Sequence, residues 1–378
     1  MGSVWTKEKA WEWYDGRPWL RGCNFMGSDC ANRIDQWQKL GFEERLKTAD
    51  EELALAAETG FNTIRIILEF IVWDREHDGF MERFDRYLET AHRHGISCMV
   101  VLGNDCMPPK DEFYRPPRLG VQPCDWGYHG GRKHSQHSDF AAMGYHLLDD
   151  PKLAQRHYEW VREIIGTHKN DPRIVMWDLY NEAGNSHREK VTVSHLKEFF
   201  RIAREIDPSQ PLTSCTWRCP GDPEQGIPEI ERIAVENSDI VTFHSYSSYQ
   251  ENVRVIKRLK RYGRPLVNTE WLARCLHNTV QEMFPLFYLE KIGCYNWGFV
   301  AGRYQTYEPW NGLWQEYDKN PDIDVDFTKW FHDLYRPNHR PYDPKEIELI
   351  KRFCSYADRD FERDGKAPQG GSRVIPPR

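Results

Sequence analysis

Hydrophobic and polar positions alternate along this chain in one recurring phrase: a short apolar run, a polar loop, then a longer stretch with apolar residues three and four apart. Residues 19–25 form the first such run. A helix is expected over 43–58, with Leu46, Ala49, Leu53 and Ala56 on one face and Gly60 as its stop. Residues 63–68 read as strand two, 80–94 as a helix closed by Gly95, and 96–102 as strand three. A long irregular stretch follows, 103–149, containing Pro108, Pro109, Pro116, Pro117, Gly130 and Gly131. Loops of that length inside a compact domain tend to carry function. A helix over 151–168 then leads to strand four, 174–182. The phrase continues with a helix at 193–205, strand five at 212–216, a helix at 230–236, strand six at 240–244, a helix at 251–262, strand seven at 265–270 and strand eight at 293–299. Helices near 327–334 and 344–356 close the pattern.

Eight short strands, apolar on both faces and alternating with helices, call for parallel pairing with helical cover on both sides. Closure gives an α/β fold, a single (β/α)8 TIM barrel with long βα loops, placed over residues 1–358. Residues 359–378, charged and containing Gly and Pro, read as a C-terminal tail. An open doubly wound sheet is the alternative, but the chain lacks the Gly-rich strand-to-helix turn of dinucleotide and phosphate-loop proteins.

Composition narrows the partners. The net charge is -7, with acidic and basic residues interspersed, and no apolar run approaches the ~20 residues that cross a bilayer. Neither nucleic acid nor membrane is expected as a partner. The N-terminus runs into Lys7-Glu8-Lys9 without the apolar centre of a secretory signal, which points to the cytoplasm. None of the 10 cysteines makes a C-x-x-C pair, so free, buried thiols are expected. Fifteen Trp alongside 18 Tyr and 18 Phe exceed ordinary core needs and suit stacking faces for sugars or bases.

The expected strand ends carry the chemistry. They offer Asn24, Arg65, Asn104 with Asp105, Asn181 with Glu182, Trp217, His244 with Tyr246, Glu270, and Asn296 with Trp297. In a barrel these converge on one mouth. Glutamates on strands four and seven face each other across it, which is the arrangement that glycoside cleavage needs: one carboxyl to protonate the leaving oxygen and one to supply negative charge at the anomeric carbon. Arg65 and Tyr246 beside Glu270 would keep it ionised, while Glu182, less compensated, would hold its proton. His129, His134, His137 and His146 in the long loop have spacing that suggests a metal, but no carboxylate or thiolate accompanies them at ligand spacing; neither metal nor cofactor is expected.

From residue 19 to 299 the chain resembles clan A glycoside hydrolases, most of all the cellulase-like family 5 enzymes and relatives described as xylanases. The matching motifs are Asn181-Glu182, Thr269-Glu270, Arg65 in Asn-Thr-Ile-Arg-Ile, His244 and Tyr246 in Phe-His-Ser-Tyr, and Trp297 in Tyr-Asn-Trp-Gly-Phe. The resemblance implies a retaining barrel enzyme with Glu182 as acid/base and Glu270 as nucleophile. It further implies that Asn181 bonds the sugar 2-OH, that Arg65 and Tyr246 hold the nucleophile, and that Trp297 floors the glycone subsite. Ala183 departs from the proline of many relatives. Trp126 and Tyr128 are candidate walls over the sugar, as are Arg303, Gln305, Tyr307 and Trp310 after strand eight.

The expected activity is double-displacement hydrolysis of equatorial O-glycosidic bonds in small oligosaccharides or glycosides, with the carboxyls roughly 5 to 5.5 Å apart. A carbohydrate-binding barrel without turnover and a metal-dependent barrel hydrolase are the alternatives.

Overall fold

The computed structural model describes residues 2–106, 117–124, 129–132 and 147–364. Its eight strands are β1 (Arg21–Asn24), β2 (Thr63–Ile67), β3 (Ser97–Asn104), β4 (Ile174–Asn181), β5 (Leu212–Thr213), β6 (Val241–His244), β7 (Leu266–Trp271) and β8 (Gly293–Asn296). All are parallel, in the order β5-β4-β3-β2-β1-β8-β7-β6. The two ends of that order meet just past β5: Thr216 bridges Phe243, its N–H donates to Thr242 O at 3.0 Å, and its carbonyl accepts from His244 N at 2.9 Å. The sheet therefore closes into the expected (β/α)8 barrel.

β5 is shorter than its expected span because hydroxyl side chains take over from the backbone ladder. Ser238 Oγ accepts from Ser214 N at 3.1 Å, and Ser214 Oγ donates to Tyr180 O at 2.8 Å. Backbone groups are thus satisfied without a regular strand.

The helices are α1 (Lys7–Asp15), α2 (Arg33–Trp37), α3 (Phe42–Thr59), α4 (Phe70–Arg75), α5 (His77–Arg93), α6 (Pro151–His168), α7 (Glu189–Ile206), α8 (Glu229–Asn237), α9 (Tyr249–Leu259), α10 (Val280–Leu289), α11 (Asn311–Lys319) and α12 (Pro344–Asp364). α1, absent from the sequence reading, starts at Thr6, whose hydroxyl accepts from Lys9 N at 3.2 Å as an N-cap. Ala10 and Tyr14 of α1 pack with Leu20, Met99, Met176, Ile240, Val267 and Tyr295, closing the barrel at the N-terminal ends of its strands. Among the described residues the opposite end stays open to a cavity.

Three expectations change. Residues 327–334 do not form a helix: Phe331 N bonds Tyr307 O, Leu334 N bonds Phe299 O, and Phe331 O accepts from Arg274 N, so this backbone is spent on neighbouring loops. α10 was missed because its face is apolar nearly all round and Pro285 lies inside it. α12 runs through 356 to Asp364, fastened by Arg21 to Asp358 at 2.7 Å and by Tyr288 to Asp360 at 2.5 Å, so the start of the expected tail is helix. None of the ten cysteines is in a disulfide, with Cys106 and Cys219 half-buried and Cys124 exposed. No described helix is long and apolar enough to cross a membrane.

Candidate active site

At the open end of the barrel the strand tips surround a cavity of about 570 Å³, lined by Asn104, Cys106, Asn181, Glu182, Trp217, His244, Tyr246, Glu270 and Trp297 among others. Its organising residue is Arg65 of β2, fully buried beneath the cavity floor. The guanidinium donates to Asp178 Oδ2 through Nε (3.1 Å) and Nη2 (2.8 Å), to Asn181 Oδ1 at 2.6 Å, to Asn24 Oδ1 at 2.7 Å and to Glu270 Oε1 at 2.9 Å. Four strands are thereby tied to one planar cation, a task for which the fork of arginine is suited and lysine is not. Burial alone would weaken the guanidinium, but Asp178 and Glu270 outweigh it and keep the charge in place.

Glu270 receives a second donor, Tyr246 OH to Oε2 at 2.8 Å. Both of its oxygens are thus held, and the Tyr246 ring is itself fixed edge-on against Trp310, with ring centres 5.1 Å apart.

Glu182 is held differently. It follows β4 at φ 46, a left-handed conformation uncommon for a residue with a side chain, with Gly184 at φ 83 completing the turn. Asp105 fastens this turn by accepting from Gly184 N at 2.7 Å, Thr192 Oγ1 at 2.5 Å and Tyr180 OH at 2.9 Å; burial lifts the Asp105 carboxyl to about 6. Glu182 N donates to Cys215 Sγ at 3.2 Å. Its carboxyl meets Asn185 Nδ2 at 2.6 Å and His244 Nδ1 at 2.9 Å, and the Cys106 thiol favours its ionised form.

His244 stands between the two acids, with Nδ1 3.4 Å from Glu270 Oε2. An oxygen of each glutamate and a ring nitrogen of His244 all lie within 4.8 Å of one another. Burial pulls the imidazole down to about 3, so it is neutral. Nε2 is buried without a hydrogen-bond partner among the described residues. The proton therefore belongs on Nδ1, where it is shared toward Glu182, because an unpaired buried N–H costs more than an unpaired lone pair.

Burial raises both glutamates above the usual carboxylate range. Arg65 and Tyr246, expected to keep Glu270 ionised, both act in that direction, against the larger effect of desolvation. What separates the two is their partners: a full cation and a phenol at Glu270, amide, imidazole and thiol at Glu182. Two carboxyls this close and this desolvated share one negative charge more readily than two, and the cation favours it on Glu270.

Asn181 is locked by Arg65 and by its own donation to Asn104 Oδ1 at 2.8 Å, leaving a second amide N–H. Trp297 is half-buried and lines both the main cavity and a narrower one behind it, where Asn24, Arg33 and His129 also sit. Asn24 serves as a brace there, its amide donating to Thr269 O at 2.8 Å. Trp217 lines the cavity and donates to Ala183 O at 3.2 Å, so the residue that replaces proline still anchors the turn. Arg303 is not brought to the cavity: its guanidinium is spent on Asp29 O, Asp35 and Gln122 O. Trp126, Tyr128, His134, His137 and His146 lie outside the described residues.

Sequence reasoning missed Asp178, Cys106, Asn185 and Cys215. A charge at the centre of the wholly buried β4 was the available signal for Asp178, since such a charge requires a buried partner.

Curated relatives include a β-glucuronidase of Paenibacillus borealis, 24% identical over 151 residues (36% of this chain, 24% of the relative), and that of Homo sapiens, 26% identical over 140 residues (36% and 21%). The matched stretch spans about a quarter of those relatives' length. Among solved structures, GH5_18 from Streptomyces cattleya in complex with GlcNAc superposes with a TM-score of 0.56 at 13% identity, over 93% of this chain and 82% of that one. The exo-β-1,4-mannosidase of Opitutaceae bacterium strain TAV5 gives 0.56 at 16% identity, over 90% and 60%. At such identities these structures share the fold alone. The family model described as glycosyl hydrolases family 2, TIM barrel domain, matches residues 124–317, a stretch that contains Glu182, His244 and Glu270. Where the sequence motifs resembled family 5, the match over more than half of the residues is to family 2, and the chain belongs to the family 2 glycosyl hydrolase TIM-barrel domains.

Proposed function

We propose that the protein is a retaining β-glycosidase that hydrolyses equatorial O-glycosidic bonds of small oligosaccharides or glycosides by double displacement. One observation carries the reading: oxygens of Glu182 and Glu270 lie within 4.8 Å of each other at the cavity floor. That spacing suits a nucleophile and an acid/base acting on one anomeric carbon, as in retaining enzymes, whose carboxyls stand roughly 5 to 5.5 Å apart.

In the first step Glu270 Oε attacks the anomeric carbon as the bond to the leaving oxygen breaks, and Glu182 transfers its proton to that oxygen. In the second step Glu182, now ionised, takes a proton from water as the water oxygen displaces Glu270. The free N–H of Asn181 is assigned to the sugar 2-OH, where a hydrogen bond strengthens as oxocarbenium character develops. Trp297 offers its indole to the apolar face of the glycone.

The cluster of Glu182, His244 and Glu270 also has the donor spacing of a metal site. Both Glu270 oxygens are already bonded, one of them to a guanidinium whose charge repels a cation, so the metal-hydrolase alternative fits these residues less well.

A panel of 2-deoxy-2-fluoro glycosides read by intact mass tests the proposal. It carries glucuronide and mannoside arms, because relatives and structural neighbours bear those names, together with glucoside and xyloside arms. Stoichiometric labelling on Glu270 by one sugar is the expected result and names the glycone. Labelling elsewhere, or stoichiometric zinc that is required for turnover, would reject it.

A further inference from the structure

The catalytic cavity adjoins a second one at Glu251. That residue, in the first turn of α9, lines the first on one side and on the other lines a second cavity of about 580 Å³. The same loop and the same helix border both. Trp217 and Cys219 of the first cavity are followed in the chain by Pro220, Gly221 and Asp222 of the second, and Gly221 N donates to Glu251 Oε1 at 3.1 Å. Along α9 and the turn after it, Glu251 is followed by Arg254, Arg258 and Arg261, three and four residues apart and so on one face, with Lys257 alongside.

This groove is built rather than incidental. The Arg258 guanidinium donates to the carbonyls of Pro220 (2.8 Å), Asp222 (2.5 Å) and Gln225 (2.5 Å), tying the 220–225 loop to the helix as the opposite wall. Arg254 bonds Glu251 at 3.1 Å. Lys257 and Arg261 stand exposed at the rim, and the acids lining the groove are Asp222 and Glu251. Four cations thus face two acids in a protein whose net charge is -7, and the excess is positive beside the cleft.

The direction of the groove gives it a role. A glycone lying on Trp297 with its anomeric carbon at Glu270 turns its leaving oxygen to Glu182, the acid on the Trp217 side. Whatever is attached to that oxygen extends along Trp217 and Cys219 toward Glu251 and the basic stripe.

We propose that the leaving-group half of the cleft takes an acidic glycan, whose carboxylate or sulfate groups seat on Arg254, Lys257 and Arg261. The proposal rests on the glycosidase reading above. It is tested by calorimetric titration of the full-length Glu270→Ala protein with three tetrasaccharides: tetragalacturonate (carboxylates only), a carrageenan tetrasaccharide (sulfates only) and neutral cellotetraose. At least one acidic ligand should bind about tenfold or more tightly than the neutral one, and should lose about tenfold when Lys257→Glu and Arg261→Glu are added. The loss should shrink in about 0.5 M salt. The acidic ligand that binds identifies the anion. Lys351→Glu with Arg352→Glu on α12, a helix packed against α10 and α3, changes net charge equally and should leave that affinity in place.

Absence of acidic-ligand binding, or equal losses from the α9 and α12 pairs, would overturn the proposal. Wild-type protein assayed in parallel on nitrophenyl glycosides separates the two readings. No turnover together with groove-dependent binding would sink the glycosidase reading alone, whereas turnover with groove-independent binding would sink this one alone.

Discussion

Glu270 is a buried carboxyl and Glu182 a half-buried one, both at the tips of barrel strands, yet the walls that hold them are built on different principles. The Glu270 wall is a charged lattice in which Arg65 joins β1, β2, β4 and β7, and each carboxylate oxygen has one strong donor. The Glu182 wall is a left-handed turn clamped from below by Asp105, with an imidazole and an amide bonded to the carboxyl and, among the described residues, no cation bonded to it. A nucleophile must stay ionised and in place, which a lattice of donors achieves. An acid/base must gain and lose a proton within each turnover, which calls for neutral partners that tolerate both states.

If that contrast is right, the largest effect comes from removing the nucleophile. Glu270→Ala should lower kcat on aryl glycosides by about 10⁴-fold, and azide should restore turnover with a glycosyl azide of inverted configuration. Glu182→Ala should cost about 10²- to 10⁴-fold on substrates with poor leaving groups and far less on activated ones. Azide rescue should there give the retained product. Identical azide products from both variants would erase the distinction between the walls.

The pH profile follows from the same raised carboxyls. Glu182 must carry its proton, so kcat/KM falls as pH rises through its elevated pKa, and Glu270 must be ionised, so the rate falls as pH drops through its own. Asp178→Asn tests the lattice. Leaving Arg65 without its buried counter-charge should reduce unfolding free energy by about 3 kcal/mol, read by denaturant titration. The guanidinium would then act on Glu270 alone and move the acid limb to lower pH. Tyr246→Phe should do the reverse, removing a donor from the ionised form, moving the acid limb upward and lowering kcat/KM by about tenfold. An acid limb that ignores both changes would mean that it does not report Glu270.

The smallest effect comes from a third carboxyl, buried away from both walls. Glu52 of α3 accepts from Ser28 N at 3.2 Å, Ser28 O accepts from Arg303 N at 2.9 Å, and burial pushes the Glu52 carboxyl up to about 8 from its usual 4.5. A raised acid costs the folded state nothing below its unfolded value and increasingly more as pH climbs toward the folded one. Glu52→Gln should therefore melt near wild type at pH 4 and about 2 to 4 °C above it at pH 8. A gap that does not widen with pH would remove Glu52 from the titrating set.

The barrel was legible in the chain because its information is local and periodic. Eight apolar runs bounded by glycines and polar loops specify eight strands, and α6 falls over 151–168 as expected. The two glutamates, Arg65, His244, Tyr246 and Trp297 were legible for a related reason: a residue at the C-terminal end of a barrel strand faces the mouth whatever else the chain does. Residues 327–334 misled because an apolar spacing that suits a helix also suits a segment whose backbone bonds to three other loops. Arg303 misled because its position after β8 says nothing of the direction of its side chain, which Asp29, Asp35 and Gln122 decide.

By itself, then, the sequence determined which residues form strands, in what order, and which polar groups end them, since those follow from patterning over a few neighbours. Only the tertiary structure decided how those groups pair. Asp178 meets Arg65 from 113 positions away, and His244 meets Glu182 across 62. Contacts of that range arise from barrel closure, which brings every strand tip to one mouth, and no local pattern encodes which partner each tip will find there.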